Sequence, residues 1–230
     1  MSRIATSPAV LRQLLSASLR VTPAGSVEIL DATQLRQSGA ATIAWTAAFS
    51  TDEATIAAAQ WLARATAVAA GIQSASIAPL YAARAENAYE GLTVPALNLR
   101  SQVFEMSRTA LETAAAMDGA ALIFELARSE QNYTFQRPAD YATSVLCGAI
   151  AAGWRGPVFI QGDHYQFVAK KYASDPEGVA AEIARACRLA VDAGYRNIDI
   201  DASTLVDLAL PTVQEQQRVN AVRTAEAVAL

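Results

Sequence analysis

Two spacings of apolar residues divide the chain. Up to residue 91 they recur three and four apart, the helical interval. "SPAVLRQLLSAS" reads as a short helix and "STDEATIAAAQWLARATAVAAG" as a long one. Ser50 and Glu53 have the spacing of a capping box, and Gly71 that of a C-terminal stop. "SIAPLYAARAENAYE" predicts another helix, ended by Gly91, and "VEILDATQL" a short strand with a turn. From Leu92 a different rhythm sets in, with continuous apolar runs between helical ones. "TVPALNL", "AALIFELA", "GPVFIQG" and "YRNIDIDAS" read as strands. "QVFEMSRTALETAAAMDG", "PADYATSVLCGAIAAGW", "DPEGVAAEIARACRLAVDAG" and "TVQEQQRVNAVRTAEAVAL" read as helices. Pro138 suits a first turn, and Asp175-Pro176-Glu177 opens the third of them.

Strands apolar along their whole length belong in a parallel sheet covered on both faces. Four strand–helix units in succession restrict the fold to a doubly wound sheet or a (β/α) barrel. No GxGxxG follows the first strand, so the dinucleotide-binding version loses support. The expected fold is α/β, of the (β/α)8 TIM-barrel type. Residues 92–230 supply its first four β-α units, behind a mainly helical N-terminal extension over residues 1–91. A whole barrel takes about 250 residues. The chain is therefore expected to be a partial reading frame, or one part of a split enzyme, with little activity alone and an open edge after the fourth strand.

Composition narrows the function. Of 230 residues, 53% are hydrophobic and 17% charged, which describes a folded core. The formal charge of -4 carries no basic footprint, so a nucleic-acid partner is not expected. No apolar run approaches the length of a membrane span and the N-terminus has no signal-peptide core, so the expected location is cytoplasmic. Cys147 and Cys187, forty residues apart with no CxxC, are expected to be free buried thiols.

A (β/α) barrel carries its chemistry at the C-terminal strand ends. Those ends offer Asn98, then Glu125, Arg128, Ser129 and Glu130, then Gln161, Asp163 and His164, then Asp199, Asp201, Ser203 and Thr204. His164 is the only histidine. Imidazole is the commonest metal ligand and a carboxylate beside it can move a proton. The competing reading of His164 is a structural histidine with its hydrogen bonds met. Glu125 lies inside an apolar strand and needs a partner, structural or substrate. Of Asp199 and Asp201, one is expected to face the site and the other to cap the following helix.

"VPALN", "ETAAAMDGAALIFELA", "PVFIQGDH" and "IDASTL" together resemble the class II, metal-dependent ketose-bisphosphate aldolases, over residues 92–230. The resemblance implies that Asp163 is the catalytic proton carrier and His164 the first ligand of a Zn2+ ion. It implies substrate contacts from Asn98, Asp201 and Ser203, and Glu125 joins them as a candidate. The implied reaction is aldol cleavage of a phosphorylated ketose like fructose 1,6-bisphosphate, to dihydroxyacetone phosphate and an aldehyde, in carbohydrate metabolism. The metal would polarise the ketose carbonyl. The complete protein is expected to be a homo-oligomer with no membrane or nucleic-acid partner. Three features depart from the family. Ala127 stands where it carries a serine, Ser129 is out of register, and its two further ligand histidines have no counterpart, which leaves the zinc site incomplete. "YTFQRPADY" is also similar to the non-catalytic partner subunit of tagatose-bisphosphate aldolase, so a non-catalytic subunit is the alternative. A different metal-dependent barrel enzyme acting on a carbonyl is a further one.

Overall fold

The computed structural model describes residues 4–91, 93–119 and 121–229. Leu92, where the second rhythm begins, Ala120 of the second strand run and the final Leu230 lie outside the described residues.

The chain opens with α1 (Pro8–Leu15), capped by Ser7, and a hairpin of β1 (Leu19–Val21) and β2 (Val27–Ile29). A short α2 (Ala32–Gln34) passes through a π turn into α3 (Ala40–Phe49). In α4 (Glu53–Ala69) the cap is Asp52, whose carboxylate accepts from the Thr55 amide at 2.8 Å. Ser50, expected in that role, instead accepts from the Asp52 amide. Gly71 does turn the chain out of the helix, at φ 77°. Then come β3 (Ile72–Ser74), α5 (Ala78–Ala85), β4 (Ala96–Asn98), α6 (Val103–Ala116), β5 (Ile123–Ala127), α7 (Arg128–Tyr133) and α8 (Pro138–Ala152). The chain continues through β6 (Gly156–Gln166), α9 (Ala169–Tyr172), α10 (Pro176–Ala193), β7 (Asn197–Asp201), a 3-10 turn at Ser203–Leu205 and α11 (Val213–Val228).

The strands β4, β5, β6 and β7 are neighbours in chain order and all parallel. β3 pairs with the first residues of β6, on the edge that β7 takes further along. Among the described residues this is an open α/β sheet, with β4 at one edge and β7 at the other. Right-handed crossovers between sequential strands put the connecting helices on one face. There α8 packs against α6 and α10, and α3 and α4 pack on α8 as well. Seven of the ten residues of α3 are buried, as an enclosed helix requires. Small residues allow the close crossing of α6 and α8. A Cβ on Gly148 would overlap the Ser107 hydroxyl and sit 2.9 Å from the Phe104 carbonyl oxygen. Phe124, Leu126, Val158 and Ile160 enter the main core on this helical side.

The opposite face is layered differently. Register aligns Ala96, Ile123 and Phe159 in one row, and Asn98, Glu125, Gln161 and Asn197 in the next. Ala127 and Asp163 form a third. The first row is apolar, and Ile77 packs on it just ahead of α5 to make a second, small core. The second row is polar, and the third sets Asp163 beside the methyl of Ala127. The strands were expected to be buried on both faces, but among the described residues the helical layer covers one face, and on the other only the first row is covered, by Ile77 and by Leu80 of α5. No helix among the described residues is long and apolar enough to cross a membrane. Cys147 and Cys187 are free and buried.

Candidate metal and substrate site

His164 owes its position to an irregularity in β6. Gln161 and Gly162 pair with Asn197 and Ile198, but the next pairs are Tyr165 with Ile200 and Gln166 with Asp201. The shift makes His164 an extra residue in the strand, and its φ of 45° is in the left-handed region. Bulges re-aim side chains, and strained non-glycine backbone concentrates at functional sites. Strict alternation would send His164 to the helical side. The extra residue instead leaves Asp163 on the polar face, His164 exposed beside it, and Tyr165 fully buried. Gly162 makes room, because a Cβ there would overlap the Tyr165 ring.

Three side chains converge. One ligand atom each from Asp163, His164 and Asp199 lies within 4.8 Å of the others. His164 Nε2 is 3.8 Å from Asp163 Oδ2, and Nδ1 is 3.8 Å from Asp199 Oδ2. Nδ1 comes closer still to Asp201 Oδ2, at 3.3 Å, and the Asp199 carboxylate accepts from the His164 amide at 3.3 Å. The Asp163 charge above all, then Asp201 and Asp199, raises the imidazole pKa against the smaller effect of burial. Burial in turn raises the Asp163 pKa, helped by the charges of Asp199 and Glu130 and opposed by His164.

Asp201 does both of the jobs that were to be divided between the two aspartates. Its side chain is only 10% exposed. One oxygen accepts from Gln166 Nε2 at 2.6 Å and faces the imidazole. The other accepts from the Ser203 amide at 3.1 Å and the Ser203 hydroxyl at 2.5 Å, capping the 3-10 turn. Burial pushes the Asp201 pKa up, but these hydrogen bonds outweigh it and hold the carboxyl below its usual range. Ser203 is therefore spent on Asp201.

Glu125 has the partner that its place in an apolar strand demands. Its Oε2 accepts from Gln161 Nε2 at 3.0 Å. Burial, then the charge of Asp163, raises its pKa. Asn98 belongs to a separate network at the β4 edge, built on Glu130. Glu130, 7% exposed, accepts from Asn98 Nδ2 at 2.8 Å, Arg100 Nε at 2.5 Å, the Ala127 amide at 3.1 Å and the Tyr133 hydroxyl at 3.2 Å. Burial would raise the Glu130 pKa, but those donors together bring it below the usual value. The Asn98 Oδ1 is buried with no hydrogen-bond partner among the described residues.

The structure thus gathers Asp163, His164, Asp199 and Asp201, and leaves Asn98 and Glu125 on the same face in networks of their own. The sequence carried a signal for Asp199. Two aspartates alternating with isoleucines must share one face of a strand. The anchoring role of Glu130 carried no such signal. The chain matches no protein-family model, no curated protein and no solved structure.

Proposed function

We propose that the polar face of the sheet carries part of a metal-assisted aldol site for a phosphorylated ketose, on a sheet that is a segment of a (β/α)8 barrel. The observation that carries the reading is the convergence of Asp163, His164 and Asp199 at the C-terminal ends of adjacent parallel strands. Sequential winding with helices on one face supports the barrel segment. The His164 imidazole and the Asp199 carboxylate would hold a divalent cation, which leaves Asp163 beside them free to carry a proton. Oxygen-rich donors suit manganese or magnesium at least as well as zinc, so the set is not zinc-selective. A bound ion would polarise the ketose carbonyl. The chain's own residues do the rest. Asp163, with its raised pKa, holds the proton of the hydroxyl on the bond being cleaved. His164 serves as ligand, with Asp201 fixing its ring through Nδ1. Asn98, held by its bond to Glu130, stands on the same face as the candidate substrate contact. Such chemistry belongs with the cytoplasmic sugar-phosphate pool.

Calorimetric titration with Mn2+ and with Zn2+ tests the site. Binding is expected to be weak in the wild type and lost in His164→Ala and Asp199→Asn. Equal binding by wild type and both variants would sink the proposal. The non-catalytic subunit has one observation in its favour. Ala127 lies beside Asp163 in register, so the row presents a methyl group where the resembled family has a serine hydroxyl. Metal binding with no aldol cleavage would favour that reading.

A further inference from the structure

Beyond the Asp163–His164 cluster, a cleft of about 880 Å³ opens between the end of α3, the start of α6 and the turn that joins α7 to α8, with Arg100 of the Glu130 network in its lining. Its apolar wall includes Trp45, Phe49, Ile56 and Phe104. At its rim stands Phe135, 90% exposed. An aromatic residue so exposed is unusual, and its backbone is more so. Phe135 has φ 54°, a conformation that a bulky side chain adopts only under constraint. The constraint is visible on both sides of it. The Gln136 amide donates to the Gln131 carbonyl at 3.1 Å, the Gln136 side chain donates to the Arg100 carbonyl at 3.1 Å, and the Thr134 hydroxyl donates to the Glu130 carbonyl at 2.8 Å. The turn is pinned so that the ring points into solvent. Phe49 on the facing wall is 65% exposed. Aromatic groups held out rigidly beside an apolar hollow are the anatomy of an interface anchor.

We propose that this patch is a two-fold interface between copies of this chain, with Phe135 of each copy seated in the cleft of the other. The knob and the hole lie on one surface, so a two-fold axis between them brings each ring over its partner's hollow. That is the self-complementarity an isologous contact requires. The charges agree. Glu105 lines the cleft, is exposed, and makes no ion pair among the described residues. Arg137 lines the same cleft, and its side chain is 74% exposed although it is paired with Asp140. A two-fold contact pairs this surface with itself, so its opposite charges face one another, and the lining is sign-balanced, with Arg100 and Arg137 against Glu105 and Asp140. A strongly anionic or cationic partner would find no matching field there.

Sedimentation velocity on the full chain between about 1 and 100 µM, where a modest interface dissociates, reads the proposal directly. The wild type is expected to pass from monomer to dimer across that range. Phe135→Gly suits this conformation better than phenylalanine, so the variant folds while losing the anchor. Its dissociation constant should rise by roughly 30-fold or more, the scale of losing an aromatic hot spot. Phe49→Ser should weaken the dimer in the same direction. A chain that stays monomeric throughout overturns the proposal and leaves the cleft to a partner of other composition. So does a dimer that both variants leave unchanged, which would place the contact elsewhere.

Discussion

His164 Nδ1 and Asp201 Oδ2 stand 3.3 Å apart, on adjacent strands and 37 positions apart in the chain. Only the bulge in β6 makes this possible, because it inserts one residue before Tyr165 pairs with Ile200. The imidazole is thereby ringed by three carboxylates, of Asp163, Asp199 and Asp201.

The first prediction concerns that ring of charge. His164 is the only histidine, so its proton resonance can be followed without assignment. Its pKa should lie above the ordinary value of about 6.5, chiefly through the Asp163 charge. Because the folded value is raised, the interaction stabilises the protein below pH of about 6.5 and is lost as pH rises through the folded pKa. The imidazole is 60% exposed, so the energy is small and screened by salt. Asp163→Asn should return the pKa toward normal. An NMR titration giving a wild-type value at or below normal contradicts the charge ring.

The acid limb of stability behaves in the opposite sense. Asp201 and Glu130 have lowered folded pKa values, so their contribution is present above the unfolded carboxylate range of about 4 and is lost as pH falls through the folded values. Glu130→Gln should cost about 1–3 kcal/mol at neutral pH, since it leaves buried donors poorly matched. The difference from wild type should shrink in acid. Urea melts at neutral and acidic pH measure both. A constant difference would show that the carboxylate's charge is irrelevant.

Gly162→Ala tests the packing beneath the bulge. The added methyl meets the buried Tyr165 ring, so overpacking should cost about 1–3 kcal/mol. In a Tyr165→Leu background the same change should cost much less. Purely additive losses in chemical denaturation would mean that Gly162 serves some other purpose.

Two buried tyrosines should respond differently to loss of a hydroxyl. Tyr141 donates to the Glu125 carbonyl at 2.7 Å, whereas the Tyr195 hydroxyl has no partner among the described residues. Tyr141→Phe should lose about 0.5–1.5 kcal/mol, and Tyr195→Phe should be neutral or stabilising. Thermal melts that rank them the other way refute the bonding pattern.

The long helices and all four later strands were legible because each carries one clean period. Asp175 capping α10 and Pro138 in the first turn of α8 follow from local chemistry and stand where expected. The strands β1 and β3 were not legible, because each is a few residues around a polar centre, Arg20 or Gln73, with no apolar run to mark it. The polar candidates could be named from strand ends, but not their pairing. His164 depends on a bulge that only the register of β7 against β6 reveals, and Asn98 depends on Glu130, 32 residues later. Ser50 looked like a cap, but Asp52 sits two residues closer to the amides and takes the bond from Thr55.

The edge that β3 and β7 share has a consequence for how the chain comes into being. On a ribosome, Ile72 has no partner until Gly156 has emerged, and Asn197, later still, hydrogen-bonds back to the Ala75 carbonyl and the Ile77 amide. The N-terminal helices must therefore wait, about half the chain long, for the strand that completes them. Such long loops are slow to close and expose apolar surface meanwhile. Nicking the exposed stretch around residues 86–91 should accordingly leave two fragments that stay together, because neither owns a finished sheet.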